Sequence, residues 1–150
     1  MPLQRFALPM LLLVTASLGA QEPKARAQAL VKEAVAFARK HGKEALVRET
    51  NQGQGRFHAK AGEELYLFIY DLQGTCQAIG FQSQLVGVNR WNLRDPGGKL
   101  ILQEMIGVAR TKGSGWVDYQ YPNPRTGRIE AKTSYVERLD DWLLGCGAYQ

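Results

Sequence analysis

The chain has 150 residues, a formal net charge of +5, and 45% hydrophobic and 22% charged residues. That is about one domain of chain, long enough to bury a core without metal or disulfide staples. Its 19 Lys and Arg and 14 Asp and Glu are scattered, which argues against a nucleic-acid-binding stripe and leaves a solvated surface that favours anions.

Residues 1–20 read as a secretory signal. MPLQR carries Arg5, the apolar run FALPMLLLVTASL follows, and the small residues ASLGA lead into the polar QEPKARAQ. The run is too short for a membrane span. The expected organisation is a signal peptide over residues 1–20 and a single domain over residues 21–150, periplasmic or secreted and not membrane-spanning after cleavage. No cysteine stands near the junction, so a lipid anchor is not expected.

Ala27, Leu30, Val31, Ala34 and Ala38 recur at helical spacing between Pro23, which suits a first turn, and Gly42, which suits a stop. A short helix, KEALVRET, follows. NQGQGRF is a loop. ELYLFIYDL reads as a buried strand, QGT turns it, and CQAIGF is a weaker second strand. The polar connection QSQLVGVNRWNLRDPGGK leads to a helix in LILQEMIGVART, with Ile101, Leu102, Met105, Val108 and Ala109 on one side. GWVDYQY, RIEAKTSYVERL and WLLGCGAY are joined by hairpin-length turns, so these three strands should be antiparallel. The order is helix, helix, two strands, helix, three strands, which is an α+β domain with one sheet.

Across almost all of residues 21–150 the chain resembles the single Cache domains, extracellular sensor modules related to PAS domains. The resemblance rests on the long first helix, YLFIYDLQG, LVGVNRWNLRDPGGK, GSGWVDYQYPNP, KTSYVERL and LLGCGAY, in that order. It implies a five-stranded antiparallel PAS/Cache-like sheet with the long N-terminal helix packed on it and short helices over the other face. It also implies a pocket beneath the connection between the second and third strands. Two departures stand out. Relatives often carry histidine after the alanine of the second strand, where this chain has Ile79. Most Cache domains also lie within receptors, whereas Gln150 directly follows the last strand here. The expectation is therefore a binding module without its own output domain.

Strand alternation puts Tyr119 and Tyr121 on one face and Trp116 on the other. Trp116 suits a core. Tyr119 and Tyr121 suit either a core or a pocket, since a phenol offers an apolar body and a polar tip. Lys132, in mid-strand, must face solvent or find a partner; the small acids implied by the resemblance make it a candidate anchor for a ligand carboxylate. Tyr135 has the opposite parity. Arg90, in the connection over the expected pocket, is either a surface arginine or a bidentate carboxylate clamp. Asp95 precedes Pro96 and is expected to cap the following helix. Asp71 is expected to stabilise its own turn.

In the sheet order implied by the resemblance, the strands of Cys76 and Cys146 flank the first strand. Second-neighbour strands lie about 9.5 Å apart and a disulfide needs Cα atoms within about 7 Å, so two unpaired thiols are expected. His41 and His58 are the only histidines and fit no metal-ligand spacing. No nucleophile elbow, phosphate loop or haem motif is present. No enzyme activity, catalytic residue, metal or cofactor is therefore expected.

The expected function is an extracytoplasmic module that binds a small molecule, with a small carboxylate as ligand and Tyr119, Tyr121, Lys132 and Arg90 as the site. The alternative is an exported interaction subunit that docks on a membrane receptor or transporter and has an occluded pocket. A nucleic-acid partner is not expected.

Overall fold

The computed structural model describes residues 22–150. The expected signal peptide and its cleavage point lie outside the described residues. Helix α1 spans Pro23–His41 and α2 spans Lys43–Asn51. The strands are β1 (Phe68–Asp71), β2 (Cys76–Ile79), β3 (Ser114–Pro122), β4 (Ile129–Leu139) and β5 (Trp142–Tyr149), with α3 (Ile101–Lys112) between β2 and β3. All five strands form one antiparallel sheet in the order β2-β1-β5-β4-β3.

The sheet carries a separate apolar core on each face. On one face α1 buries Ala27, Val31, Ala34, Val35 and Ala38 against Leu67, Ile69, Tyr135, Leu144 and Cys146. Three of the five helix residues are alanine, so the backbone can lie close to the strands. Gly42, at φ 90°, ends α1 and precedes α2; this is the left-handed region that favours glycine. On the other face α3 buries Ile101, Leu102, Met105, Ile106 and Ala109 over Phe68, Tyr70, Val117 and Val136. Ile106, not Val108, completes its buried stripe; Val108 is only half-buried.

Two local features differ from the sequence expectation. The regular part of the first strand is only Phe68–Asp71, because Leu67 is engaged by Phe57 and Gly80 through irregular backbone bonds. The β1–β2 register also slips: Ile69 faces Ala78 but Tyr70 faces Cys76. That bulge lets Cys76 join the α3-side core while Ala78 lies on the α1 side. Cys146 is on the α1 side. Both thiols are free and buried, and they are separated by sheet face as well as by an intervening strand.

The connection between β2 and α3 is pinned rather than loose. Cys76 N–H donates to Val88, Gly87 N–H to Cys76 and Arg90 N–H to Gly74, so it runs along the outer edge of β2 before crossing to α3. Asp95 does not cap α3. Its carboxylate accepts from Lys99 N–H at 2.9 Å and from Gln120 N–H at 3.1 Å, closing its own DPGGK turn and tying it to β3. The helix begins too far along the chain, at Ile101, for Asp95 to reach it. Asp71 does stabilise its turn, accepting from Gln73 N–H and Thr75 N–H.

Candidate functional site

Tyr66, just ahead of β1, and Phe68 and Tyr70 within it face α3, and the alternation of β3 sends Val117, Tyr119 and Tyr121 the same way. Lys132, on β4, pairs in register with Tyr119 and Tyr149. Tyr66, Phe68, Tyr70, Tyr119, Tyr121 and Lys132, with Ile79 from β2, Arg90 and Leu93 from the connection, and Ile101, Leu102 and Met105 from α3, line a cavity of about 30 Å³. The four residues singled out from sequence, Tyr119, Tyr121, Lys132 and Arg90, meet there. Trp116 lies on the opposite face, its ring tilted against that of Tyr135 with centres 5.5 Å apart.

Lys132 is the unusual member. It is 2% exposed, and no carboxylate pairs with it among the described residues. Its ammonium donates to Tyr66 Oη at 3.2 Å and lies 4.7, 5.3 and 4.9 Å from the ring centres of Tyr66, Tyr121 and Tyr149. Burial disfavours the charged form, but the surrounding tyrosines, Tyr119 and Tyr149 first, more than offset this and leave its pKa above the ordinary lysine value. The ring faces add a cation–π attraction at these distances. Lys132 is therefore a buried cation held by neutral groups.

Four of the phenols nearby are held protonated by burial. Burial raises Tyr66, Tyr70 and Tyr119 well above the usual tyrosine range and Tyr149 to about 12. Tyr119 Oη shares a hydrogen bond with Ser134 Oγ at 2.8 Å. Arg90 Nη1 donates to Tyr121 Oη at 2.9 Å, which in turn donates to Gln82 Oε1 at 3.3 Å. The cavity has a cationic, phenolic end at β3–β4 and an apolar end at Phe68, Ile79, Leu102 and Met105.

Sequence reasoning missed Tyr66, Tyr149 and the two glycines that make room for the site. A Cβ on Gly147 would collide with Lys132 Cε and Ser134 Oγ, and one on Gly145 with the Phe68 ring. Gly145 and Gly147 alternate in LLGCGAY; alternating glycines inside a strand signal close approach on one face. Tyr66 was equally findable from its parity with Phe68 and Tyr70.

A family profile described as single Cache domain 2 matches residues 23–150. The sensor histidine kinase MctS of Rhizobium johnstonii is 37% identical over 90 residues, covering 59% of this chain and 19% of that kinase. Among solved structures, a methyl-accepting chemotaxis protein from Vibrio parahaemolyticus superposes with a TM-score of 0.70 at 24% identity, over 84% of this chain and 87% of that one. A Cache chemosensory domain, described as the structural basis for carboxylic acid recognition, superposes with a TM-score of 0.61 at 24% identity, over 83% and 86%.

Proposed function

The chain belongs to the single Cache domain 2 family, a family of sensor and ligand-binding domains, and on that premise we propose that it binds a small organic carboxylate against Lys132. The observation that carries this reading is the buried ammonium, which meets phenols but no carboxylate among the described residues. A buried charge is costly unless a partner offsets it, and a carboxylate would add a charge-assisted hydrogen bond where the phenol now gives a neutral acceptor. Tyr66, Tyr119 and Tyr121 form the aromatic wall, and Arg90 closes the outer side. Support comes also from the carboxylic acid recognition described for the similar Cache domain.

In this reading the domain binds and does not catalyse, and a membrane receptor or transporter is its partner. Export follows from a signal peptide over residues 1–20, ahead of the domain at 21–150. Mass spectrometry of the protein from its native compartment is expected to find a new N-terminus between about residues 17 and 24; intact Met1 in the soluble fraction would refute export.

Calorimetric titration with acetate, propionate and lactate tests the ligand. The wild type is expected to bind at least one, and Lys132→Met to lose about 2–4 kcal/mol of affinity while keeping its melting temperature or gaining slightly. Equal binding by Lys132→Met would move the anchor elsewhere, with Arg90 next. The cavity size supports a second reading. About 30 Å³ exceeds the roughly 10–15 Å³ that one water needs but leaves little room for an organic acid, as expected of an interaction subunit with an occluded pocket. No binding of any acid at millimolar concentration would favour that reading.

A further inference from the structure

Ile129 opens β4 and is 55% exposed, more than any other large hydrophobic side chain among the described residues. It does not stand alone. It lines a hollow of about 490 Å³ together with Leu93, Pro96, Ile101 and Pro122, and with the charged Arg94. Arg90 and Tyr121 line it too. Lys132, Phe68 and Met105 line only the smaller cavity, so the hollow lies outside the site already described. Its volume falls within the range of about 300–1,000 Å³ of small-molecule sites, which likewise combine apolar walls with a few polar groups.

The polar part of the lining suits an anion. Among the described residues neither Arg90 nor Arg94 forms an ion pair. Arg90 Nη1 donates to Tyr121 Oη and Arg94 Nη1 to Gly98 C=O, both at 2.9 Å and both to neutral acceptors. A guanidinium carries five N–H donors, so each keeps donors for a further acceptor. Asp95 is the one carboxylate in the lining, and its two oxygens accept from Lys99 N–H and Gln120 N–H. The same turn fixes the backbone of Arg94 through its bridge to Leu100, which lowers the cost of ordering it around a ligand.

We propose that this hollow is a second binding site, for an anionic amphiphile, with an aliphatic chain seated on Leu93, Pro122 and Ile129 and an acidic head held by Arg94. The chain would remove the exposed apolar surface of Ile129 from water, and the head would give the guanidinium a charge-assisted, bidentate partner. An extended aliphatic chain has no room in the cavity of about 30 Å³ at Lys132, so the two sites take different ligands. The proposal goes beyond the Lys132 reading and does not rest on it.

Calorimetry with octanoate, octanol and acetate on wild type, Arg94→Gln, Ile129→Thr and Lys132→Met tests it. Arg94 and Ile129 are exposed, so both variants are expected to fold. The wild type is expected to bind octanoate at millimolar concentration, below micelle formation, and octanol at least about tenfold more weakly. Arg94→Gln should lose about tenfold in octanoate affinity and Ile129→Thr about fivefold. Lys132→Met should keep octanoate affinity within about twofold. No octanoate binding to wild type overturns the proposal. So does octanol binding as tightly as octanoate, or octanoate affinity that falls in Lys132→Met but holds in Arg94→Gln. Acetate separates the two sites: acetate binding lost only in Lys132→Met, with no octanoate binding, leaves the Lys132 reading standing and removes this one. Octanoate binding that depends on Arg94 and Ile129, with no acetate binding, does the reverse.

Discussion

The same strands build two faces of different character. Under α1 the sheet presents Leu67, Ile69, Tyr135, Leu144 and Cys146, and the helix answers with alanines and valines. Under α3 and the connection it presents Tyr66, Tyr70, Tyr119, Lys132 and Ser134, with glycines opposite Phe68 and Lys132. On the α1 face the charges stay at the rim: Lys32 pairs with Glu137 at 2.7 Å, and Lys43 with Asp141. On the α3 face a charge goes inside. Both faces carry a close-packed apolar core, but only the α3 face also takes a buried lysine and a ring of phenols into it.

The largest test of this contrast is Leu144→Ala, on the α1 face. Leu144 is fully buried, and the cavity left behind should cost about 2–5 kcal/mol of stability in urea unfolding. Acid affinity, measured where the variant remains folded, should hold within about twofold. A parallel loss of affinity would show that the two faces act as one unit.

Gly147→Ala should reverse the pattern. The new methyl falls where Lys132 Cε and Ser134 Oγ now lie, so the lysine must move. Overpacking of this kind costs about 1–3 kcal/mol, and acid binding should weaken by about tenfold or more as the ammonium leaves the Tyr66, Tyr121 and Tyr149 rings. Wild-type affinity in a folded Gly147→Ala would remove Lys132 from the site.

The smallest effect is a difference in pH dependence between the two thiols. Burial raises Cys76 to about 11 and Cys146 to about 12, against an unfolded value near 8.5. A raised folded pKa gives stability that is complete below the unfolded value and is lost as pH rises through the folded one. Between pH 8 and 9.5 each thiol should therefore withdraw about 1 kcal/mol. The loss should continue further up the scale for Cys146, on the α1 face, than for Cys76. Cys146→Ala and Cys76→Ala should each flatten the curve by their own share; an unchanged slope in both would refute the burial argument. Thiol reagent at pH 8 should leave the native protein unlabelled and modify both cysteines after denaturation without reductant.

Much of this architecture was legible in the sequence, because its signals are local. A period of 3.6 with Pro23 and Gly42 at its ends specifies α1, since side chains three and four apart share a helix face. Alternation in GWVDYQY separates Trp116 from Tyr119 and Tyr121 for the same reason with period two. What only the tertiary structure decided concerns groups far apart in the chain. Lys132 in mid-strand had two open readings, and nothing within EAKTS says that Tyr66 and Tyr149 will close around its ammonium. The side of the sheet taken by Cys76 depends on a bulge, and one extra residue inverts facing without altering composition. Asp95 carried a strong local capping signal, yet its carboxylate joined Gln120 across the chain, because the helix starts at Ile101, out of its reach. Local periodicity sets which way a side chain points relative to its own element; what it meets there is set by the packing of elements whose sequences carry no record of one another.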